Sequence, residues 1–183
     1  MSLHADAVAS LRAWRPDERR QDELRGTFLD LLERRPDALE RSCAPAHLTA
    51  SALVIDPPAG RVCLVLHAKV RRWLQPGGHA EASDLTLADA ALREAVEETG
   101  IAGLSVVPGI LHVDRHPAPC RPGVVEEHFD VRYLVIAPHD AVPAVSAESL
   151  DVRWFGWDDL GSEIEATIHE MTAAARRRLG QRA

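Results

Sequence analysis

The sequence predicts an α/β domain with an N-terminal helical extension. Three observations predict it. The first forty or so residues carry a helix-period pattern dense in charge, short β-rich runs begin at His47, and strong helical segments interrupt and close the β-rich part.

In the extension, Leu24, Phe28, Leu31 and Leu32 recur at helical spacing with Arg, Glu and Asp between them. Pro16-Asp17-Glu18 reads as a helix start and Pro36 as a break, so residues 3 to about 41 form an arm of helices. Leu48 to Ile55 and Val62 to His67 then read as a hairpin turning at Asp56-Pro57-Pro58-Ala59-Gly60. Trp73-Leu74-Gln75 is a short strand ending at Pro76-Gly77-Gly78. A helix follows over about 86–99, with Thr86 and Asp89 placed as a capping pair and Gly100 as its stop. Leu104 to Val113 and Phe129 to Ala137 are β-like, separated by a Pro-, Arg- and Gly-rich loop at about 115–127. Val152-Arg153-Trp154-Phe155 is the last strand, and a helix over about 162–179 follows. The division expected is a helical arm at 1–46 and an α/β domain at 47–183.

At 183 residues the chain can bury a full core, and 46% apolar with 27% charged residues is the composition of a soluble globular protein. A net charge of −7 argues against nucleic acid or anionic membrane as a partner, although arginine outnumbers lysine twenty to one. No run approaches the roughly 18 apolar residues of a membrane span. The N-terminus lacks a signal-peptide pattern, which places the protein in the cytoplasm. Cys43, Cys63 and Cys120 fit small hydrophobes in a reducing compartment better than a disulfide framework.

The chemistry concentrates in Gly77-Gly78-His79-Ala80-Glu81-Ala82-Ser83-Asp84 and in Arg93-Glu94-Ala95-Val96-Glu97-Glu98-Thr99-Gly100-Ile101. On a helix, Glu94, Glu97 and Glu98 share one face and repel one another. Carboxylates gathered in this way suit hard cations such as Mg²⁺ or Mn²⁺, which also bridge substrate phosphates. The paired glycines let the backbone approach a ligand, so the Gly77 carbonyl can join the metal ligands. The planar fork of Arg93 can hold one of the carboxylates.

Together these residues resemble the Nudix hydrolase signature: a Gly, five residues, a Glu, seven residues, then Arg-Glu-apolar-any-Glu-Glu-any-Gly-apolar. Gly78 and the stretch from Arg93 to Ile101 match it. Two departures stand out: Asp84 replaces the usual first Glu, and eight residues rather than seven separate it from Arg93. Asp84 is therefore either a further acid of the site or a helix N-cap. The resemblance covers roughly 47–180 and implies a Nudix-type α/β/α sandwich with a mixed sheet.

It also implies a metal-dependent enzyme that hydrolyses the pyrophosphate bond of a small phosphorylated metabolite. That metabolite would be a nucleoside diphosphate linked to another group, ADP-ribose-like first and a nucleoside triphosphate second. The expected metal ligands are Glu94, Glu97, Glu98 and Gly77. The expected catalytic residues are Glu94, Glu98, Arg93 and Glu148, the general base being a box glutamate or Glu148. Arg72, Arg115 and Trp73 are candidates for substrate binding, with Arg132 a further candidate phosphate ligand. His112, Asp114 and His116 would share one strand face at period two. The arm covers the site, makes a homodimer contact or pads the sheet. The competing readings are a non-catalytic Nudix-fold metabolite sensor and a partner-binding protein that uses the arm.

Overall fold

The computed structural model describes residues 2–58, 60–121, 125–147 and 149–180, with the side chains of 118–121, 125 and 126 left outside the description. Four helices and seven strands run in the order α1 (Leu3–Ala13), α2 (Arg19–Arg34), β1 (Ala46–Asp56), β2 (Arg61–His67), β3 (Trp73–Leu74), β4 (Gly77–Gly78), α3 (Leu87–Thr99), β5 (Ser105–Arg121), β6 (Val125–Ile136), β7 (Ser149–Gly156) and α4 (Ala166–Arg178).

The strands form one mixed sheet with the path β3-β2-β1-β6-β5, to which β4 adds on β1 and β7 on β2. β1 is the branch point. Its far end pairs antiparallel with β2 at Val54–Cys63, while Ala50 and Ser51 pair with Gly78 and Gly77 of β4. Along its other edge β1 runs parallel to β6, from Ala46–Glu127 to Ile55–Ile136.

Alternation along β1 builds two cores. Leu48, Ala50, Ala52 and Val54 pack with Ala7 and Leu11 of α1, Phe28 and Leu32 of α2, and Ala90, Ala91 and Ala95 of α3. Leu53 and Ile55 face the other way, onto Ile168, Met171 and Ala175 of α4. Helices therefore cover both faces of the sheet, giving the expected α/β/α sandwich. The arm shares the α3 core. Asp6 also accepts the Leu87 backbone N–H at 3.1 Å, so α1 supplies an acceptor to an otherwise unsatisfied donor at the start of α3.

The arm divides into two helices between Ala13 and Arg19, around the expected start at Pro16-Asp17-Glu18. Two boundaries differ from the sequence expectation. α4 starts at Ala166 rather than near Ser162, because Gly161 to Glu165 make turn bonds first. The segment expected as a Pro-rich loop is largely strand, with Pro117 opposite Glu127 and Arg121 opposite Val125. β5 lies at the edge of the sheet, where a proline's missing N–H removes no ladder bond. Among the described residues no helix is long and apolar enough to cross a membrane.

α3 is closed at both ends as the sequence indicates. Thr86 Oγ1 accepts the Asp89 N–H at 3.0 Å, and Gly100 ends the helix at φ +66°. A Cβ on Gly100 would also lie 3.0 Å from the Ala144 side chain. Gly100→Ala is therefore expected to lower unfolding free energy by about 1–2 kcal/mol, measured by urea denaturation. An unchanged midpoint would contradict the cap.

Candidate active site

The site begins where β4 passes under α3. A Cβ on Gly77 would lie 2.2 Å from the Ser51 side chain, so only glycine lets β4 pair this closely with β1. A Cβ on Gly78 would lie 2.6 Å from Glu94 Oε1. The absent side chain at Gly78 is thus the space that the Glu94 carboxylate occupies, and the glycine pair and the first glutamate of α3 form one unit.

Arg93 is the centre of the charge arrangement. Its Nε and Nη2 donate to the two oxygens of Asp84 at 3.2 and 3.0 Å, and Nη2 also donates to the His79 carbonyl at 2.8 Å. Nη1 donates to Glu94 at 3.1 Å and to Glu97 at 3.0 Å. Burial alone would lower the Arg93 pKa, but Asp84 and Glu94 outweigh it and hold the pKa above the ordinary value.

Asp84 settles between its two sequence readings. Thr86 takes the cap position, while Asp84, only 5% exposed in its side chain, holds Arg93 in a two-point grip and accepts the Glu81 N–H at 2.8 Å. The loop with one extra residue folds back far enough for the shorter acid to reach the arginine.

The three glutamates are not equivalent. Glu94 is 13% exposed in its side chain and Glu97 57%, whereas Glu98 is buried at 8%. Their carboxylates are not among the described groups whose ligand atoms all lie within 4.8 Å of one another. They share a stripe rather than a closed cage.

The other candidates are dispersed. Arg72 is exposed and pairs with Glu165 at 2.8 Å. Arg115 pairs with Glu127 at 2.5 Å and lies over the Phe129 ring. Trp73 packs edge-on against Phe155 at 5.0 Å, with Arg153 over its ring. Glu148 lies outside the described residues.

A polar face of the sheet lies beside the box. His112, Asp114 and His116 do share one side of β5, where Asp114 accepts from Arg132 at 2.9 Å and contacts His116 Nδ1 at 3.0 Å. Arg132 is buried and also donates to Asp130 at 2.8 Å, so it is fixed between two acids. Asp130 accepts further bonds from Thr49 and Ser51 at 3.0 and 2.7 Å. Burial opposes ionisation of Asp114, but its His116 bond and Arg132 hold its pKa near 2.

Sequence reasoning missed His47 and His128 altogether. His47 is fully buried, its Nε2 lies 2.9 Å from His79 Nε2, and its ring is 4.9 Å from that of His128. The available signal was polar residues at period two, His47-Thr49-Ser51 and His128-Asp130-Arg132, inside otherwise apolar runs.

Two tests follow from this geometry. Asp84→Asn removes the charge that anchors Arg93 and is expected to lower stability by about 1–3 kcal/mol. Turnover should fall with it, and a denaturation midpoint equal to wild type would contradict the anchor.

The second test concerns pH, in the presence of a chelator. Burial, then neighbouring His47, lowers the His79 pKa to about 4; burial, then His47 and His79, lowers that of His128 to about 3. Unfolded histidines take a proton near pH 6.5, so below that pH the unfolded state binds protons that the fold refuses. Stability is full above about pH 6.5 and falls as pH drops toward about 4. Burial lowers His116 too, but its Asp114 bond outweighs this and raises its pKa, so His116 acts in the opposite sense. The melting temperature is expected to fall across this window, less steeply in His128→Gln; parallel curves would contradict the assignment.

The chain matches the family model described as NUDIX domain over residues 45–179. No curated protein matches it. Among solved structures it is similar to a NUDIX-family hydrolase from Clostridium perfringens, at TM-score 0.60 and 24% identity, covering 73% of this chain and 97% of that one. The NUDIX domain of Shewanella oneidensis NrtR, solved with ADP ribose, aligns at TM-score 0.58 and 19% identity over 76% of this chain and 92% of that one. A UDP-X diphosphatase aligns at TM-score 0.55 and 20% identity over 98% of this chain and 92% of that one, a span that takes in the helical arm. With the match covering most of its length, this chain belongs to the NUDIX domain family.

Proposed function

We propose that the protein uses Mg²⁺ or Mn²⁺ to hydrolyse the pyrophosphate bond of a nucleoside diphosphate linked to another group. One observation carries this reading. Asp84, Glu94, Glu97 and Glu98 lie on or beside one helix, and Arg93 donates to the first three. Three of these carboxylates, Asp84, Glu94 and Glu98, are largely withdrawn from water, and acids crowded in this way favour a divalent cation beside them.

The donor set fits a hard divalent ion. Glu94, Glu97 and Glu98 offer carboxylate oxygens and Gly77 a backbone carbonyl, with no nitrogen or sulfur among them. When bound, such an ion supplies positive charge to the pyrophosphate oxygens and makes the attacking water more acidic. The chain's own groups do the rest. Arg93 fixes Glu94 and Glu97 and, through the His79 carbonyl, the loop after Gly78. Water attacks phosphorus, the P–O–P bond breaks, and Glu94, Glu98 or Glu148 takes the proton that water loses.

Three features support a nucleoside diphosphate conjugate as substrate class. ADP ribose occupies the NrtR relative, the UDP-X diphosphatase aligns across the arm as well as the domain, and the charged stripe suits a metal-bridged diphosphate. ADP-ribose-like molecules rank first and nucleoside triphosphates second. Arg72, Arg115 and Trp73 remain our candidates for substrate contacts, and the 46/47 division our proposal for the arm's boundary. Buried free thiols at Cys43 and Cys63 support the cytoplasm as its location.

The test is a screen of nucleotide conjugates with Mg²⁺, wild type beside Glu98→Gln. Wild type is expected to release phosphate-ended products only with the metal, and Glu98→Gln to lose about 100- to 1,000-fold in kcat. Binding without turnover in wild type, or equal turnover by the two proteins, would overturn the reading.

A further inference from the structure

We propose that His47, His79 and His128 form a binding site for one transition-metal ion of the zinc class, separate from the glutamate stripe. The backbone brings them together. His47 and His128 are register partners on the parallel strands β1 and β6, and His79 directly follows Gly78, which pairs with Ala50 of β1. The ring centroids are 4.9 Å apart for His47–His79, 4.9 Å for His47–His128 and 5.3 Å for His79–His128. One ligand nitrogen from each ring lies within 4.8 Å of the other two. Tetrahedral zinc with imidazole ligands needs nitrogens about 3.4 Å apart, which small ring rotations reach from here.

The ring of His47 is already set for the task. Its Nδ1 lies 3.1 Å from the Cys43 carbonyl, which can only accept, so Nδ1 carries the hydrogen and Nε2 presents its lone pair. A backbone carbonyl holding the far nitrogen is the usual way a ligating imidazole is oriented. That lone pair points at His79 Nε2, 2.9 Å away. His47 is fully buried, whereas His79 and His128 are half-buried, so the cluster has a solid back and an open front. Three protein ligands leave a fourth position for water or another ligand. The neighbouring His116 contacts Asp114 instead.

Donor chemistry separates the two sites. Imidazole nitrogens favour Zn²⁺, Ni²⁺ and Cu²⁺ over Mg²⁺, while the all-oxygen stripe suits Mg²⁺ or Mn²⁺. An ion on the histidines would fasten β1, β6 and the loop after β4 to one another. Because Arg93 donates to the His79 carbonyl at 2.8 Å, that fastening reaches the box arginine. The inference does not rest on the proposed hydrolase activity.

The test is titration of the whole protein with Co²⁺ in excess Mg²⁺, reading the visible absorption of four-coordinate cobalt. Wild type is expected to saturate at a single equivalent and to release cobalt to Zn²⁺. His79→Ala and His128→Ala, checked for folding by circular dichroism, should weaken binding by about 100-fold or more, while Glu97→Gln keeps the band. Nitrogen-15 NMR of the wild-type imidazoles gives the same answer without a variant, with three rings shifting on addition of Zn²⁺. No band in wild type, a band retained in both histidine variants, loss of the band in Glu97→Gln, or unmoved imidazole signals would each overturn the proposal.

Discussion

The guanidinium of Arg93 ties the loop after β4 to the acids of α3. Its donors reach Asp84 on the loop, Glu94 and Glu97 on α3, and the carbonyl of His79 just after the glycine pair. Arginine suits this role because its planar fork donates in several fixed directions and never loses its charge. A lysine could neutralise one acid but could not join a loop carbonyl, a bidentate carboxylate and two helix acids at once. Gly78 completes the arrangement by leaving room for Glu94, and Gly77 by letting β4 lie against Ser51. The box is therefore one interlocked unit.

Beneath that unit the sheet changes character along its length. Toward the ends of β1 and β6, Leu53, Ile55, Leu134 and Ile136 pack under α4 as an ordinary apolar core. Toward their starts, the same face carries His47, Thr49 and Ser51 beside His128, Asp130 and Arg132. Asp130 and Arg132 are almost completely buried, and each is satisfied by partners on neighbouring strands. Such a network is costly to bury unless complete, and here its bonds fix strand register beside the box. The helical arm acts from the opposite face, through the shared core and the Asp6 bond to the start of α3.

What the sequence made legible was local. Thr86 and Gly100 mark both ends of α3, and the spacing of Arg93, Glu94, Glu97 and Glu98 places them on neighbouring positions of that helix. The Pro-rich stretch misled because proline reads as a loop signal unless the strand is known to be an edge, which depends on the whole sheet. His47 and His128 escaped for a related reason: they are eighty-one positions apart and meet only through a parallel pairing. Asp84 was ambiguous because loop path, rather than residue count, decides whether a short acid reaches Arg93. Arg72 and Arg115 are each paired with an acid, Glu165 and Glu127, a contact that residue type alone does not reveal.

The central claim is that the crowded carboxylates of α3 exist to hold a divalent cation against a diphosphate. A crystal structure grown with Mn²⁺ and a non-hydrolysable nucleoside diphosphate conjugate tests it most directly, because the anomalous signal of manganese locates the ion independently of the density around it. The account predicts anomalous peaks between the diphosphate, the glutamate carboxylates of α3 and the Gly77 carbonyl. Manganese found only away from those glutamates, with the diphosphate bound elsewhere on the surface, would contradict it.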